Sequence, residues 1–366
     1  MAENWRFELQ RPSRSLRAFQ ARPFSHLGNS PARKYYTLTN YKSIIKIVKK
    51  IIISSKESNQ RVDKYLKKFL NEAPLSFIYK LFRKKDVKIN GHWVKENYIL
   101  KENEELTVFI SDEQFEEFNK PKEIEKVELQ HEIVYEDNNI LIVNKPRGLL
   151  VHGDEHEKKL TLANEVINYL YYKGEYDPKN DHGFIPAPAH RLDRNTSGLV
   201  VFAKNLASLQ ELEELFKEKD EIVKEYKALV FGKFEGERFI DLPLKKDEKT
   251  GLVSVSKGGK TAHTIAKYAG NYGDFTLINV QILTGRTHQI RVHLASIGFP
   301  ILGDSKYGNF KINKEIKEKY KFDNQFLTAY KLTFKNIKGN LSYLSGRSFE
   351  INLPQEEQKL LTKLLK

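Results

Sequence analysis

His190-Arg191-Leu192-Asp193-Arg194-Asn195-Thr196-Ser197-Gly198-Leu199-Val200-Val201-Phe202-Ala203-Lys204 joins two opposite kinds of sequence. Polar and charged groups crowd its first half, and the apolar run from Gly198 to Ala203 predicts a buried strand. A charged loop feeding a buried strand is a place where catalytic groups often sit, because a rigid scaffold holds them. Asp193 also reads as a turn residue bonded to local backbone. Outward from this stretch, strands are predicted at 133–135, 140–143, 226–231, 264–268 and 275–283, with helices at 161–172 and 206–216. The strands lack regular βαβ spacing. The expected fold is therefore α+β, a mixed and mostly antiparallel sheet flanked by helices.

A second polar stretch, Thr284-Gly285-Arg286-Thr287-His288-Gln289-Ile290-Arg291-Val292-His293, also follows an apolar strand. Thr287 is read as the cap of a helix running to about Ile297, with Gly298 at its end. Arg286 and Arg291 stand near the start of that helix, where the dipole disfavours cations, so a nearby carboxylate would compensate.

The N-terminal part has its own pattern. A strand is expected at 49–54. Val62, Leu66, Phe69 and Leu70 share one helical stripe, and Pro74 and Ser76 restart a second helix. A hairpin turning at Asn90-Gly91 and a strand at 106–110 complete a small α/β unit over 57–110. Residues 61–95 hold 10 basic and three acidic residues. Such charge is either a solvated face or, if the two helices and hairpin converge, a phosphate-binding surface. Residues 111–130 read as a charged linker, and 131–366 as the larger domain.

Composition narrows the classes. A hydrophobic content of 40% supports a real core and excludes wholesale disorder. The chain has no cysteine, which excludes disulfides, iron–sulfur clusters and thiolate chemistry. No run approaches 18 apolar residues, so no membrane span is expected. Of the net charge of +14, residues 1–56 supply most, with 12 basic and two acidic residues. Residues 1–33 carry six of the 15 arginines and no lysine, while all 47 lysines lie beyond. That switch reads as an extension foreign to the fold or as an Arg-rich targeting segment, which Glu3, Glu8 and Trp5 fit poorly. Pro12, Pro23, Pro31 and the lack of periodicity predict a disordered leader over 1–40.

Other familiar motifs fail. Gly259-Lys260-Thr261 hints at a phosphate loop, but the required first glycine is Ser254. His152 and His156 have no obvious third ligand and Gly153 breaks the segment, so no metal is expected. His288 and His293 fall on different faces of a helix.

The stretch from His190 to Lys204 resembles the catalytic motif of the RluA-type pseudouridine synthases. Three more segments agree in order: Leu141-Ile142-Val143-Asn144-Lys145-Pro146 with Gly148 to His152, Lys224-Glu225-Tyr226-Lys227-Ala228, and Thr284 to Gly308 through Ile301-Leu302-Gly303-Asp304. Residues 57–110 resemble an S4 RNA-binding domain. Pro74-Leu75-Ser76-Phe77-Ile78-Tyr79-Lys80-Leu81 is similar to the RluC-like branch, which acts on large-subunit ribosomal RNA.

The resemblance implies an isomerase that moves the glycosidic bond of uridine from N1 to C5. Asp193 would be the catalytic carboxylate, attacking C1′ or taking the 2′ proton. It must stay ionised, and the family's partner position is Arg291; Arg286 is not expected to serve. Tyr226 would stack on the base and help remove the C5 proton. Arg191 would fill the space left by the flipped uridine, and His190 and Thr196 are assigned to substrate binding, His190 by shaping the loop. Arg61, Lys80, Arg83, Lys84, Lys85 and Lys88 would add RNA contacts on the S4-like unit. No cofactor and no metal is implied, and RNA, most naturally ribosomal, is the expected partner of a monomer without membrane attachment. The compartment implied is a bacterial cytoplasm, or an organelle matrix if residues 1–40 are a transit peptide. A transfer RNA synthase, a non-catalytic RNA-binding or ribosome-assembly protein on the same scaffold and a glycoside hydrolase or nucleosidase are the rivals. The last usually needs two cooperating carboxylates, and no second acid stands out in the matched motifs.

Overall fold

The apolar run Ser197–Ala203 is buried at every position and forms an interior strand of a ten-stranded sheet. The computed structural model describes residues 47–120, 123–179, 181, 183–217 and 221–365. The expected leader over 1–40 lies outside the described residues.

The first elements are β1 (Ile47–Ile52), α1 (Val62–Phe69), α2 (Leu75–Arg83), β2 (Val87–Ile89), β3 (His92–Trp93), β4 (Glu105–Ile110) and α3 (Asp112–Phe118). The four strands pair antiparallel in the order β1-β4-β2-β3, with Asn90-Gly91 turning the hairpin. Val62, Leu66 and Phe69 on α1 and Ile78, Leu81 and Phe82 on α2 fill the core against Val108 and Ile110. The unit is larger at both ends than 57–110. β1 precedes residue 57 yet pairs with β4 over its whole length. The stretch read as linker opens with α3, whose N-cap Ser111 accepts the Gln114 N–H. Phe115 and Phe118 of α3 pack on Phe69 and Phe77, at ring distances of 5.6 and 4.7 Å. This small unit also rests on the chain ahead of the catalytic-motif loop: Lys68 Nζ donates to Gly183 O at 2.6 Å and Lys56 Nζ to Glu175 O at 2.8 Å.

The larger unit contains β5 (Ile133–Glu136), β6 (Ile140–Lys145), α4 (Leu162–Tyr172), β7 (Ala187–Pro188), β8 (Ser197–Ala203), α5 (Leu206–Lys217), β9 (Ile222–Phe231), β10 (Glu237–Asp241), β11 (Leu244–Lys246), β12 (Val253–Val255) and β13 (His263–Tyr272). It continues with β14 (Phe275–Ile282), α6 (Gln289–Ser296), α7 (Phe310–Tyr320), β15 (Leu327–Phe334), β16 (Ser348–Glu350) and α8 (Gln355–Leu364). The main sheet runs β10-β13-β14-β9-β15-β8-β6-β5, with β16 on β15 and β7 on β8. β15 runs parallel to β8, and the other neighbours pair antiparallel, as the irregular strand spacing predicted. The two faces bury separate apolar clusters, one with Val200, Phe202, Tyr226 and Val280, the other with Leu199, Val201 and Leu332. Alternation of side chains along each strand produces that division.

β8 and β15 approach closely at the start of β8. Gly198 has φ +121°, and a Cβ there would lie 2.2 Å from the Ala329 carbonyl oxygen. Only glycine fits, and the loop before it is thereby held against β15.

Candidate active site

The loop from His190 to Ser197 is tied down at several points. The Asp193 carbonyl accepts the Thr196 N–H at 3.1 Å, closing a turn. The Arg194 carbonyl accepts from Gly148 N at 2.9 Å and from Lys145 Nζ at 3.0 Å. Lys145 is fully buried and also donates to the carbonyls of Pro146 and Leu149. Burial pulls its pKa down to about 7, partly opposed by the charge of Asp193. Thr196 Oγ1 accepts from Gln325 Nε2 at 3.0 Å, and Ser197 Oγ lies 2.8 Å from Thr328 Oγ1. The first motif and β15 therefore brace the loop that presents Asp193.

Asp193 opens onto a pocket lined by Arg191, Tyr226, Ile282, His288, Arg291 and Leu327, among others. Arg291 Nη1 donates to Asp193 Oδ2 at 3.0 Å. The remaining guanidinium edge makes a two-point pair with Asp304, Nε to Oδ2 at 2.7 Å and Nη2 to Oδ1 at 2.9 Å. Burial works against the charge on Arg291, but the hydrogen bonds and fields of Asp304 and Asp193 outweigh it and raise its pKa. Asp304 is fully buried, which favours its neutral form, yet Arg291 and the N–H groups of Lys306 and Tyr307 hold it below the ordinary carboxylate range. Gly303 makes this geometry available: its φ is +75°, and a Cβ would come 1.8 Å from the Asn324 carbonyl oxygen. The helix-dipole argument called for one carboxylate near Arg291; two are present. The second acid, overlooked in the matched motifs, is locked behind Arg291 and does not face the pocket.

Tyr226 is 7% exposed and forms the pocket wall from β9. Burial and the neighbouring Asp193 push its phenol well above the ordinary value, so it is a neutral hydroxyl. Arg191 is exposed at the pocket mouth, and Thr196 lines the pocket but is buried in its bond to Gln325. Arg286 touches the rim, donating from Nε to Thr261 O at 3.0 Å, with no carboxylate partner among the described residues.

His190 does not line the pocket; it stands behind the loop, where it can shape it. Its Nε2 accepts the Val201 N–H at 3.1 Å and its ring packs on Phe216 at 4.3 Å, behind the loop. Burial and the charge of Lys224 lower its pKa to about 3 from 6.5, so the imidazole is neutral. Unfolding releases it to take up a proton near pH 6.5. This group therefore leaves stability untouched above pH 6.5 and lowers it progressively as the pH falls towards 3. In His190→Asn that acid limb should flatten. Urea midpoints of both proteins from pH 4 to 7 test this, and parallel profiles would remove His190 from the account.

α6 starts differently from the expectation. Thr287 does not cap it. The N-cap is His288, left-handed at φ 54° and without a side-chain cap bond. The Gln289 side chain braces the loop ahead of the helix: its Oε1 accepts the Arg286 N–H and the Thr284 hydroxyl, and its Nε2 donates to His263 O. His288 and His293 do face apart, His293 bonding Thr264 and the Leu242 carbonyl inside the fold.

On the small unit, Lys80, Arg83, Lys84 and Lys85 are exposed at the end of α2 and in the turn after it. Lys85 Nζ lies 5.0 Å from the ring centre of Trp93, and Lys88 Nζ 5.3 Å from that of Phe109. Arg61 is engaged by Asp63 through two bonds of 3.0 and 2.8 Å. Among the described residues, no helix is long and apolar enough to cross a membrane.

Comparison with known proteins gives a consistent match. The family "RNA pseudouridylate synthase" matches residues 139–296. A Mycoplasma capricolum protein described as an uncharacterized RNA pseudouridine synthase is 36% identical over 310 residues, covering 81% of this chain and 95% of the relative. The ribosomal large subunit pseudouridine synthase C of Vibrio parahaemolyticus is 34% identical, covering 84% of this chain and 94% of the relative. The ribosomal large subunit pseudouridine synthase D of Buchnera aphidicola is 35% identical, covering 84% and 95% respectively.

Proposed function

This chain belongs to the RNA pseudouridine synthase family, and we propose that it isomerises uridines of large-subunit ribosomal RNA, with Asp193 as the catalytic carboxylate. The observation that carries the assignment is the ion-paired Asp193 at the open pocket, its Oδ2 3.0 Å from Arg291 Nη1. Relatives named for the large ribosomal subunit, matched over 84% of this chain, support the substrate.

The chemistry follows from the groups present. The N1–C1′ bond breaks with its electron pair going to uracil, while a carboxylate bonds C1′ or takes the 2′ proton. The detached base must turn and rejoin through C5 before water reaches it, and Ile282, Ile290, Leu192 and Leu327 supply apolar walls. A neutral Tyr226 phenol supports stacking as its role rather than service as a resting-state base. Exposed Arg191 is free to occupy the stack that the uridine leaves. A hydrolytic reading usually calls for two carboxylates at the substrate, and Asp304 is sealed behind Arg291.

In the same reading, the small unit over 47–118 is an S4-like RNA-binding module that uses the exposed charges of α2. In Lys80→Ala/Arg83→Ala/Lys84→Ala, each lost phosphate contact should flatten the slope of log affinity against log salt by about 0.7–0.9. KM should rise and the rate at saturating RNA should persist, because the pocket is untouched. An unchanged salt slope would place the RNA on another face.

Mapping pseudouridines in total RNA from cells with and without the protein tests the substrate. Specific sites should disappear from large-subunit ribosomal RNA. Loss confined to transfer RNA would overturn the ribosomal assignment while leaving the family unchanged.

A further inference from the structure

His288 holds a backbone conformation that a non-glycine residue adopts at a cost, φ 54°, at the mouth of the pocket. Strain of this kind persists where the surroundings impose it, and it is frequent at functional sites. The ring is held from behind. Tyr307 Oη lies 2.9 Å from His288 Nδ1, and that same oxygen accepts the Val253 N–H at 2.8 Å. With the tyrosine oxygen accepting from Val253, its own proton is available to the Nδ1 lone pair. The imidazole then carries its proton on Nε2. Burial lowers the pKa of His288, against the pull of Asp193, and the neighbouring cations Arg291 and Lys306 act in the same sense as burial. Nε2 lies 3.8 Å from Asp193 Oδ2, too far for a hydrogen bond, and its N–H is not spent on the carboxylate. Tyr307 also lies under Arg291, whose guanidinium carbon is 5.1 Å from the ring centre.

We propose that His288 is a catalytic hydrogen-bond donor to the O2 carbonyl of the target uracil, with Tyr307 as the positioning residue that fixes its tautomer. This rests on the reading of Asp193 as the group acting at C1′. O2 is the uracil carbonyl adjacent to N1, hence the one nearest that carboxylate. When the N1–C1′ bond breaks, its electron pair enters the ring and part of the charge reaches O2. The Nε2–H then holds an oxygen whose charge has grown, without giving up its proton. A donor fixed before the charge develops lowers the barrier more than it strengthens ground-state binding.

The test is single-turnover kinetics on one ribosomal RNA fragment. His288→Leu should slow the reaction by about 10²-fold, the usual loss of one oxyanion donor, with RNA affinity nearly constant. His288→Gln retains an N–H and should recover part of the loss. His288→Gly relieves the backbone strain, so it should fold at least as stably as the parent yet lose the same rate as His288→Leu. Tyr307→Phe should slow the parent and have little further effect in His288→Leu, as expected for two residues acting through one contact. With 2-thiouridine at the target, whose sulfur is a weaker acceptor, the parent should lose most of its advantage over His288→Leu. Parallel assays of the parent and Asp193→Asn separate the two levels of failure. An inactive parent, or an active Asp193→Asn, overturns the catalytic reading itself. An active parent and a dead Asp193→Asn, together with near-parental rates for His288→Leu and His288→Gly, overturn the role of His288 alone.

Discussion

Asp193→Asn should fold normally, bind RNA with nearly unchanged affinity, and form pseudouridine slower by on the order of 10³-fold or more. The amide has the shape of the carboxylate, and its oxygen can keep the 3.0 Å bond from Arg291 Nη1. A donor facing that guanidinium would be repelled, so the amide nitrogen must turn towards the pocket. It has neither the negative charge to bond C1′ nor the basicity to take the 2′ proton. Folding should tolerate the lost charge, because Arg291 keeps its two-point pair with Asp304. The loop keeps the Thr196 turn and the Arg194 carbonyl bonds, none of which uses the Asp193 side chain. Quantifying pseudouridine in an RNA fragment with purified variant, checked for deamidation, decides the matter. Retention of a tenth of the parental rate would remove Asp193 as the reacting group.

Much of this site was legible because its groups are local to recognisable stretches. The charged loop before an all-apolar strand located Asp193, and the dipole argument called for a carboxylate beside Arg291. Asp304 escaped because its bond spans separate segments. A signal was nonetheless present: a guanidinium has five N–H groups, and a buried one is seldom satisfied by one carboxylate. The glycine before Asp304 also marked a backbone that a side chain could not follow. His288 was passed over because threonine is the better capping residue by rule. Here the helix starts one residue later than threonine capping predicts, at a left-handed His288 without a side-chain cap bond, and the Gln289 side chain ties the preceding loop at Arg286 and Thr284. His190 carried the weight of its motif, but its ring bonds a strand N–H behind the loop, a choice set by tertiary packing. The helix Asp112–Phe118 was hidden by its acids, although Phe115 and Phe118 are spaced to share one helical face.

Arg291→Met should damage both folding and turnover, and the two losses should be separable. Arg291 is 7% exposed in its side chain and Asp304 is fully buried, so removing the guanidinium leaves the Asp304 carboxylate, among the described residues, with only the Lys306 and Tyr307 N–H groups. Breaking one side of a buried pair commonly costs about 3–5 kcal/mol, which urea denaturation would register as a lower midpoint. Turnover should fall as well, because Asp193 loses the donor that orients it. Adding Asp304→Asn to Arg291→Met neutralises the stranded acid and should restore most of the stability. It supplies nothing to Asp193, so turnover should stay low. Arg286→Met should be mild on both measures, since that exposed side chain bonds a backbone carbonyl and, among the described residues, no carboxylate. Recovery of both stability and rate in the double variant would reduce Arg291 to a structural counter-ion of Asp304. Recovery of stability alone would leave it with a second duty, holding the reacting carboxylate towards C1′.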